Sequence, residues 1–175
     1  MVHKTTYIMP YKRRRKYKTD YRQRIGLLKS GKIRLVVRKT NKYIIAQLVK
    51  SKIAQDYTIL GITSKILKDK YDWKYSCKNL PAAYLTGIII GKLALKNGIQ
   101  EAILDIGINR STKGNRIFAV LKGAIDAGLK IPHSEEIFPT EDRIEGKHIA
   151  SYIEKFKNIT QDFYKVKEKI LKDYG

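Results

Sequence analysis

Apolar and polar residues alternate over several short stretches early in the chain, the period of strands with one buried face. Ile33, Leu35 and Val37 fall on one side of the first stretch, Ile33–Arg38, while Lys32, Arg34 and Arg38 fall on the other. The polar trio Thr40-Asn41-Lys42 then reads as a hairpin turn into a second strand, Tyr43–Val49. There Ile44, Ala46 and Leu48 share one face, and Tyr43 and Gln47 share the other. Tyr57–Ile62 is a third strand, which completes an antiparallel meander with one apolar face and one basic, aromatic-bearing face. Glu101–Ile106 is a fourth. The helical crossover that precedes it makes it parallel to the strand it joins.

Helical periods lie around these strands. Thr19 or Asp20 caps a short helix that carries Ile25, Leu27 and Leu28 inward and ends near Gly31. Pro81 stands near the start of a helix that runs to about Asn97 and stops at Gly98. Ala83, Gly87 and Gly91 recur on it at four-residue spacing, which predicts close backbone approach to the sheet. Arg116–Ala127 is a further helix, closed by Gly128. Residues 63–78, with five lysines and Trp73, read as an irregular insertion. Residues 131–145 carry five acids against one Arg, and Pro132 and Pro139 keep them irregular. From Gly146 the chain is a Lys-rich helical tail, in one helix or in two broken near Asn158. The fold class that follows is α/β: a mixed, mainly antiparallel sheet, made of a three-strand meander plus a parallel strand and packed by helices. The expected organisation is a basic arm over 1–18, a core domain over 19–145 and a helical C-terminal tail over 146–175.

Composition narrows the chemistry. The 175 residues suffice for one domain with a core, and the apolar fraction is that of a globular protein. One cysteine, Cys77, excludes an internal disulfide and a Cys-rich zinc site, and it fits a reducing compartment. No signal-peptide pattern is visible, and the apolar run Leu85–Ile90 is too short to span a bilayer. Residues 10–18 lack the apolar face of a membrane-surface helix. A soluble cytoplasmic protein is expected, with no membrane contact.

Charge changes the picture most. Between Pro10 and Lys42 lie fourteen Lys or Arg and one acid, Asp20, so this window supplies thirteen of the +21 formal charges. Tyr11, Tyr17 and Tyr21 stand among the cations. Such a density of like charge repels itself and calls for a polyanion, and nucleic-acid phosphates reward each neutralisation by releasing counterions. Residues 1–18 have no apolar period, so this arm is expected to order only on its partner. A solubilising or localisation tag would also be basic, but here the charge continues into a capped helix and one face of a sheet. The expected nucleic-acid contacts are Lys12, Arg13, Arg14, Arg15, Lys16, Tyr17 and Lys18 of the arm, with Lys32, Arg34, Arg38 and Tyr43 of the sheet. Helix-turn-helix, zinc-finger and basic-zipper signatures for duplex DNA are missing from the sequence. A surface mixed from arm, sheet and loop suits folded RNA, whose splayed bases stack on rings and guanidinium planes.

Other motifs carry less. The loop Gly107–Gly114 lies between a strand and a helix N-terminus, where anions are favoured. Its Lys-Gly order and glycine spacing do not match a nucleotide-binding loop, which leaves backbone-phosphate contacts through Arg110, Lys113 or Arg116. His3, His133 and His148 lack metal-ligand spacing. His133 beside Glu135 and Glu136 reads as an exposed loop, and Asp105 at a strand end has no identifiable second carboxylate for a nuclease metal. Trp73 and Cys77 read as packing residues. The acidic stretch Glu135–Glu145 is open between a solvated loop, a contact for a basic neighbour and a shield for the arm. No cofactor is expected.

Several ordered blocks then form a resemblance. Lys18-Thr19-Asp20-Tyr21, Leu27-Leu28-Lys29-Ser30-Gly31-Lys32 and Arg34-Leu35-Val36-Val37-Arg38-Lys39-Thr40-Asn41-Lys42 closely resemble the archaeal form of the large-subunit ribosomal protein family numbered eighteen. The eukaryotic counterpart of that family is the 5S-RNA-binding large-subunit protein numbered five. Asn79-Leu80-Pro81-Ala82-Ala83-Tyr84-Leu85-Thr86-Gly87 is similar to the family's central helix, and Phe118–Leu129 with Ile131-Pro132-His133-Ser134 to its later segment. The resemblance runs from about Arg13 to about Ile153, and residues 71–78 depart from it. It implies a structural, non-enzymatic protein of the large ribosomal subunit, in the cytoplasm. Its partners would be 5S rRNA, large-subunit rRNA and neighbouring ribosomal proteins of the central protuberance. Family binding residues map onto Lys12–Lys18, Arg22, Arg24, Arg34, Arg38, Asn41 and Lys42. The rival readings are an RNA-processing enzyme with a basic groove and a general nucleic-acid-binding protein.

Overall fold

The computed structural model describes residues 8–53 and 55–174. The first seven residues of the expected arm, His3 among them, and the last residue of the expected tail lie outside that range. In chain order the elements begin with a single helical turn, α1 (Lys12–Arg15), and the capped helix α2 (Tyr21–Lys29). Three strands follow, β1 (Arg34–Lys39), β2 (Ile44–Lys52) and β3 (Gln55–Thr63), and then helices α3 (Ile66–Tyr71) and α4 (Leu80–Lys96). A short strand β4 (Ile103–Asp105) leads to α5 (Arg116–Asp126), to the small helices α6 (Glu141–Glu145) and α7 (Lys147–Tyr152), and to the last helix, α8 (Ile159–Tyr174).

The sheet order is β3-β2-β1-β4, with β1 antiparallel to β2, β2 antiparallel to β3, and β4 parallel to β1. The expected mixed sheet, its turn and its parallel fourth strand are all present. The turn closes where Thr40 and Tyr43 exchange bonds: the Thr40 amide donates to the Tyr43 carbonyl, and the Tyr43 amide to Thr40 Oγ1. Register places Leu35, Val37, Ile44, Ala46 and Leu48 on one face, all essentially solvent-free. Helix α4 packs over β2 and β3 on that face, and α5 over β1.

Helix α4 starts where the Asn79 side chain accepts the Ala82 amide and Pro81 fills an early position, and its chain leaves at Gly98 with φ +73°. It is apolar all round because it lies between the sheet and α8. The small-residue row on α4 does allow close approach, but to α5 rather than to the sheet. A Cβ on Gly87 would enter the Val120 carbonyl, one on Gly123 would enter the Tyr84 carbonyl, and one on Gly91 would lie 2.7 Å from the Ala127 methyl. Two helices meet backbone to backbone there, which side chains at these positions would prevent.

Residues 63–78 differ from expectation. They are not an irregular insertion but part of the core. Helix α3 buries Leu67 and Tyr71, and then Trp73, Tyr75 and Cys77 alternate inward with exposed Asp72, Lys74 and Ser76. The five lysines hid this pattern, because they occupy the outward positions of the segment. Trp73 and Cys77 are packing residues, as expected. Phenol groups tie these elements to the end of the chain: Tyr71 donates to Asp173 at 3.0 Å and Tyr75 to Asp162 at 2.7 Å, both acids on α8. Burial and the adjacent Asp162 carboxylate push the Tyr75 phenol up to about 12. Tyr84 on α4 likewise donates to Asp126 on α5 at 2.7 Å. Helix α8 buries Ile159, Phe163, Val166 and Ile170 in the same core, so the last segment is docked along its length.

Smaller differences have simple causes. The acidic segment holds a 3-10 turn at Glu135–Ile137 and helix α6, which starts after Pro139 and buries Ile144. Ile25 is 53% exposed rather than inward, whereas Leu27 and Leu28 are half-buried and Leu27 lies against the sheet side. Among the described residues no helix is long and apolar enough to cross a membrane.

The Gly87–Val120 contact yields a test. Gly87→Ala should destabilise the protein by about 3 kcal/mol, at the upper end of overpacking costs, because a backbone carbonyl cannot swing aside as a side chain can. Thermal unfolding by circular dichroism should show a Tm lower by roughly 6–12 °C.

Candidate nucleic-acid interface

The second face of the sheet carries Arg34, Val36 and Arg38 of β1, Gln47, Val49 and Ser51 of β2, and Asp105 of β4. This face was expected to be basic and aromatic-bearing. It is instead largely neutralised and covered. Arg34 is only 2% exposed. One arm of its guanidinium donates to Asp105 Oδ2 at 2.9 Å, and the other donates to Ser51 Oγ and pairs with Asp56 Oδ1, each at 2.9 Å. Its Nε has no hydrogen-bond partner among the described residues. Arg38 grips the same Asp105, with Nη2 on Oδ1 at 2.9 Å and Nη1 on the backbone carbonyl at 2.8 Å. The Gly107 amide also donates to Asp105 Oδ1 at 2.9 Å, and a Cβ on Gly107 would press into the Arg38 guanidinium.

Asp56 on β3 is the second anchor. Besides Arg34 it holds Arg24 of α2 at 2.8 Å, so one carboxylate ties helix α2 to the far strand of the sheet. Burial alone would raise the Asp56 pKa, but hydrogen bonds from Ser51, Arg24 and Arg34 outweigh it and leave the carboxyl below its ordinary value. Arg34 therefore acts as a positioning group: a guanidinium removed from water costs several kcal/mol unless carboxylates face it.

Between α2 and this face lies a cleft of about 480 Å³. Arg13, Lys18, Arg24 and Arg38 line it with Tyr21, Gln23 and Gln47, while Leu27, Val36 and Val49 supply its apolar wall. Residues of the arm thus meet residues of the sheet, as the sequence suggested. Asp20 caps α2 by accepting the Arg22 and Gln23 amides at 2.9 and 3.2 Å. Arg13 Nε donates to Thr19 Oγ1 at 2.8 Å, and the Tyr11 and Tyr21 rings lie 5.2 Å apart. These local contacts give the described part of the arm its one helical turn, where no regular structure was expected.

The remaining expected site residues divide into free and engaged cations. Lys12, Arg13, Arg14, Arg15, Lys16, Tyr17 and Lys18 are all exposed, and so are Arg22, Asn41, Lys42 and Arg110. Tyr43 is half-buried. Lys32 pairs with Glu101 at 3.0 Å and Lys113 with Glu136 at 2.8 Å. Arg116 donates to the Lys78 carbonyl at 3.1 Å. None of Arg110, Lys113 and Arg116 lines the cleft. His133 contacts the Ile131 carbonyl oxygen through Nδ1 at 2.7 Å rather than a neighbouring glutamate. Sequence reasoning missed the two organising acids. Asp105 follows from strand parity, since it sits opposite Val36 on the face of Arg34, but Asp56 needed a register that its own segment does not announce.

Two outcomes test the network. Asp105→Ala leaves a buried guanidinium with one carboxylate fewer and should cost about 3–5 kcal/mol, read from a lower urea midpoint. Because the folded pKa of Asp56 is lowered, its contribution is complete above the ordinary carboxylate range and is lost as pH falls through the folded value. Asp56→Asn should therefore flatten the acid limb of a stability–pH curve and leave its shape at neutral pH unchanged.

Sequence comparison agrees with this architecture. The profile of a family described as ribosomal large subunit proteins 60S L5 and 50S L18 matches residues 5–101 and 96–134. A protein of Korarchaeum cryptofilum named large ribosomal subunit protein uL18 is 54% identical over 157 residues, 90% of this chain and 80% of the relative. A protein of the same name from Caldivirga maquilingensis is 47% identical over 161 residues, 92% of this chain and 78% of the relative. Both names are those of ribosomal components rather than of enzymes. With exposed arm cations beside a carboxylate-braced sheet, and with likeness over nine-tenths of its length, the chain belongs to the family of ribosomal large subunit proteins 60S L5 and 50S L18.

Proposed function

We propose that this chain binds 5S ribosomal RNA and helps seat it in the large ribosomal subunit at the central protuberance, in contact with large-subunit RNA and neighbouring ribosomal proteins. The observation that carries the reading is the division of cations around the cleft. Arg24, Arg34 and Arg38 are bound by Asp56 and Asp105, while Lys12–Lys18 stand exposed beside them without acidic partners among the described residues. Paired guanidiniums hold the scaffold. Unpaired ones are left for phosphate.

The mechanism has three parts. The arm captures the RNA through its phosphates, because counterion release makes each contact favourable at moderate salt. Residues of the arm then order against the RNA, starting from the turn at Lys12–Arg15. The rim of the cleft, with Arg13, Lys18 and Tyr21, reads the shape of the folded RNA, and exposed Arg22 on α2 and Asn41 and Lys42 at the β1–β2 turn extend the contact. Buried Arg34 fixes the geometry of this surface instead of meeting the ligand.

Arg13→Ala, Arg14→Ala and Arg15→Ala combined should weaken binding to 5S RNA and lower the slope of log affinity against log salt by about 2 to 3, at roughly 0.7–0.9 per lost phosphate contact. Filter binding over a range of salt concentrations measures this, and an unchanged slope would contradict the proposal. Competition with duplex DNA at fixed salt separates it from general polyanion binding. Preference for the duplex would remove 5S RNA as the ligand.

A further inference from the structure

The β2–β3 hairpin is longer than the strand beside it. The last β1 pair is Arg34 with Val49, yet β2 and β3 continue through Lys50–Tyr57, Ser51–Asp56 and Lys52–Gln55. These rungs form a tongue beyond the sheet, at the opposite end of β1 from the Thr40–Lys42 turn. A bulge between Leu48 and Val49 marks its base, and bulges bend and twist the strand they interrupt.

The tongue is built unlike a solvated hairpin end. Ile53 at its tip is 100% exposed and Tyr57 is 47% exposed, so neither contributes its full apolar surface to the fold. Asp56, its only acid among the described residues, is turned inward to Arg24 and Arg34. Lys50 and Lys52 have no acidic partner among the described residues, and Lys52 lies 5.0 Å from the Tyr57 ring centre. The same ion pairs that cancel the acid also root the tongue, because Ser51 donates to Asp56 at 2.6 Å and accepts from Arg34. A braced projection therefore presents two ammonium groups without a carboxylate partner among the described residues, one flat ring and one bare aliphatic tip. Uncompensated cations argue against a basic protein neighbour and against a second copy of this +21 chain.

We propose that this tongue is a second RNA contact, separate from the arm. Lys50 and Lys52 hold backbone phosphates, and Tyr57 and Ile53 pack against an unstacked base or open a base step. The inference rests on the RNA-binding reading of the chain but involves none of the residues assigned above. The RNA is 5S rRNA or large-subunit rRNA, which share this chemistry.

The test measures the full chain against 5S RNA and, separately, against large-subunit RNA, each over a salt series. Lys50→Ala with Lys52→Ala should lower the log–log slope by about 1.4–1.8 with one of the two RNAs, and Lys50→Arg with Lys52→Arg should restore it. Unchanged slopes with both RNAs would overturn the proposal. The arm triple variant run in parallel separates the two readings: if only it loses its effect, the arm assignment falls and the tongue stands. A benzoylphenylalanine crosslinker in place of Ile53, in assembled subunits, should capture RNA. Capture of protein alone would make the tongue a protein-docking element and overturn the proposal.

Discussion

Arg34 cannot stand where it does without carboxylates around it. A guanidinium with 2% of its surface in water must be met by charge and hydrogen bonds, and Asp105 and Asp56 meet it from two sides. Asp105 comes from the parallel strand β4 and Asp56 from the edge strand β3, so one side chain couples the two margins of the sheet. Arg38 shares Asp105 and Arg24 shares Asp56, which brings the loop after β4 and helix α2 into the same arrangement. The position of α2 across the cleft and the rooting of the hairpin both depend on this arrangement.

A chain with +21 formal charge also has to separate cations that hold the fold from cations that meet a polyanion. Around the cleft it does so by giving Asp56 and Asp105 to the first group. Arg34, held by both, is buried, and Arg24, held by Asp56, is partly buried. Along Lys12–Lys18 the cations stay exposed, and their mutual repulsion is stored until phosphate relieves it. This explains why neutralising the sheet face does not weaken the case for RNA: the face became scaffold, and its neighbours became surface.

Much of this was legible in the residues. Alternation gave β1 to β3 and their buried face, Asp20 and Pro81 announced two helix starts, and the glycines at 31, 98 and 128 marked helix ends. The arm stood out by charge alone. What escaped depends on partners distant in sequence. Arg34 reads as an exposed cation because strand parity says which face a side chain takes but not whether a helix lies above that face. Gly87 and Gly91 revealed close packing without naming α5 as the neighbour. In residues 63–78 the lysines dominate the composition while Tyr71, Trp73 and Tyr75 do the burying, and only the tertiary contact with α8 shows which set matters.

The phenol clamps on the last helix have a bearing on life inside a ribonucleoprotein. Asp173 and Asp162 are gripped by tyrosine hydroxyls, which bring no net charge to the bond. An ammonium in the same place would face a constant rival in the surrounding phosphates and would loosen or tighten with every change in ionic conditions. A neutral donor has no net charge for salt to screen or for phosphate to attract. The terminal helix is thereby fastened by a latch less sensitive to ionic conditions than an ammonium would make it, while the outer cations change hands.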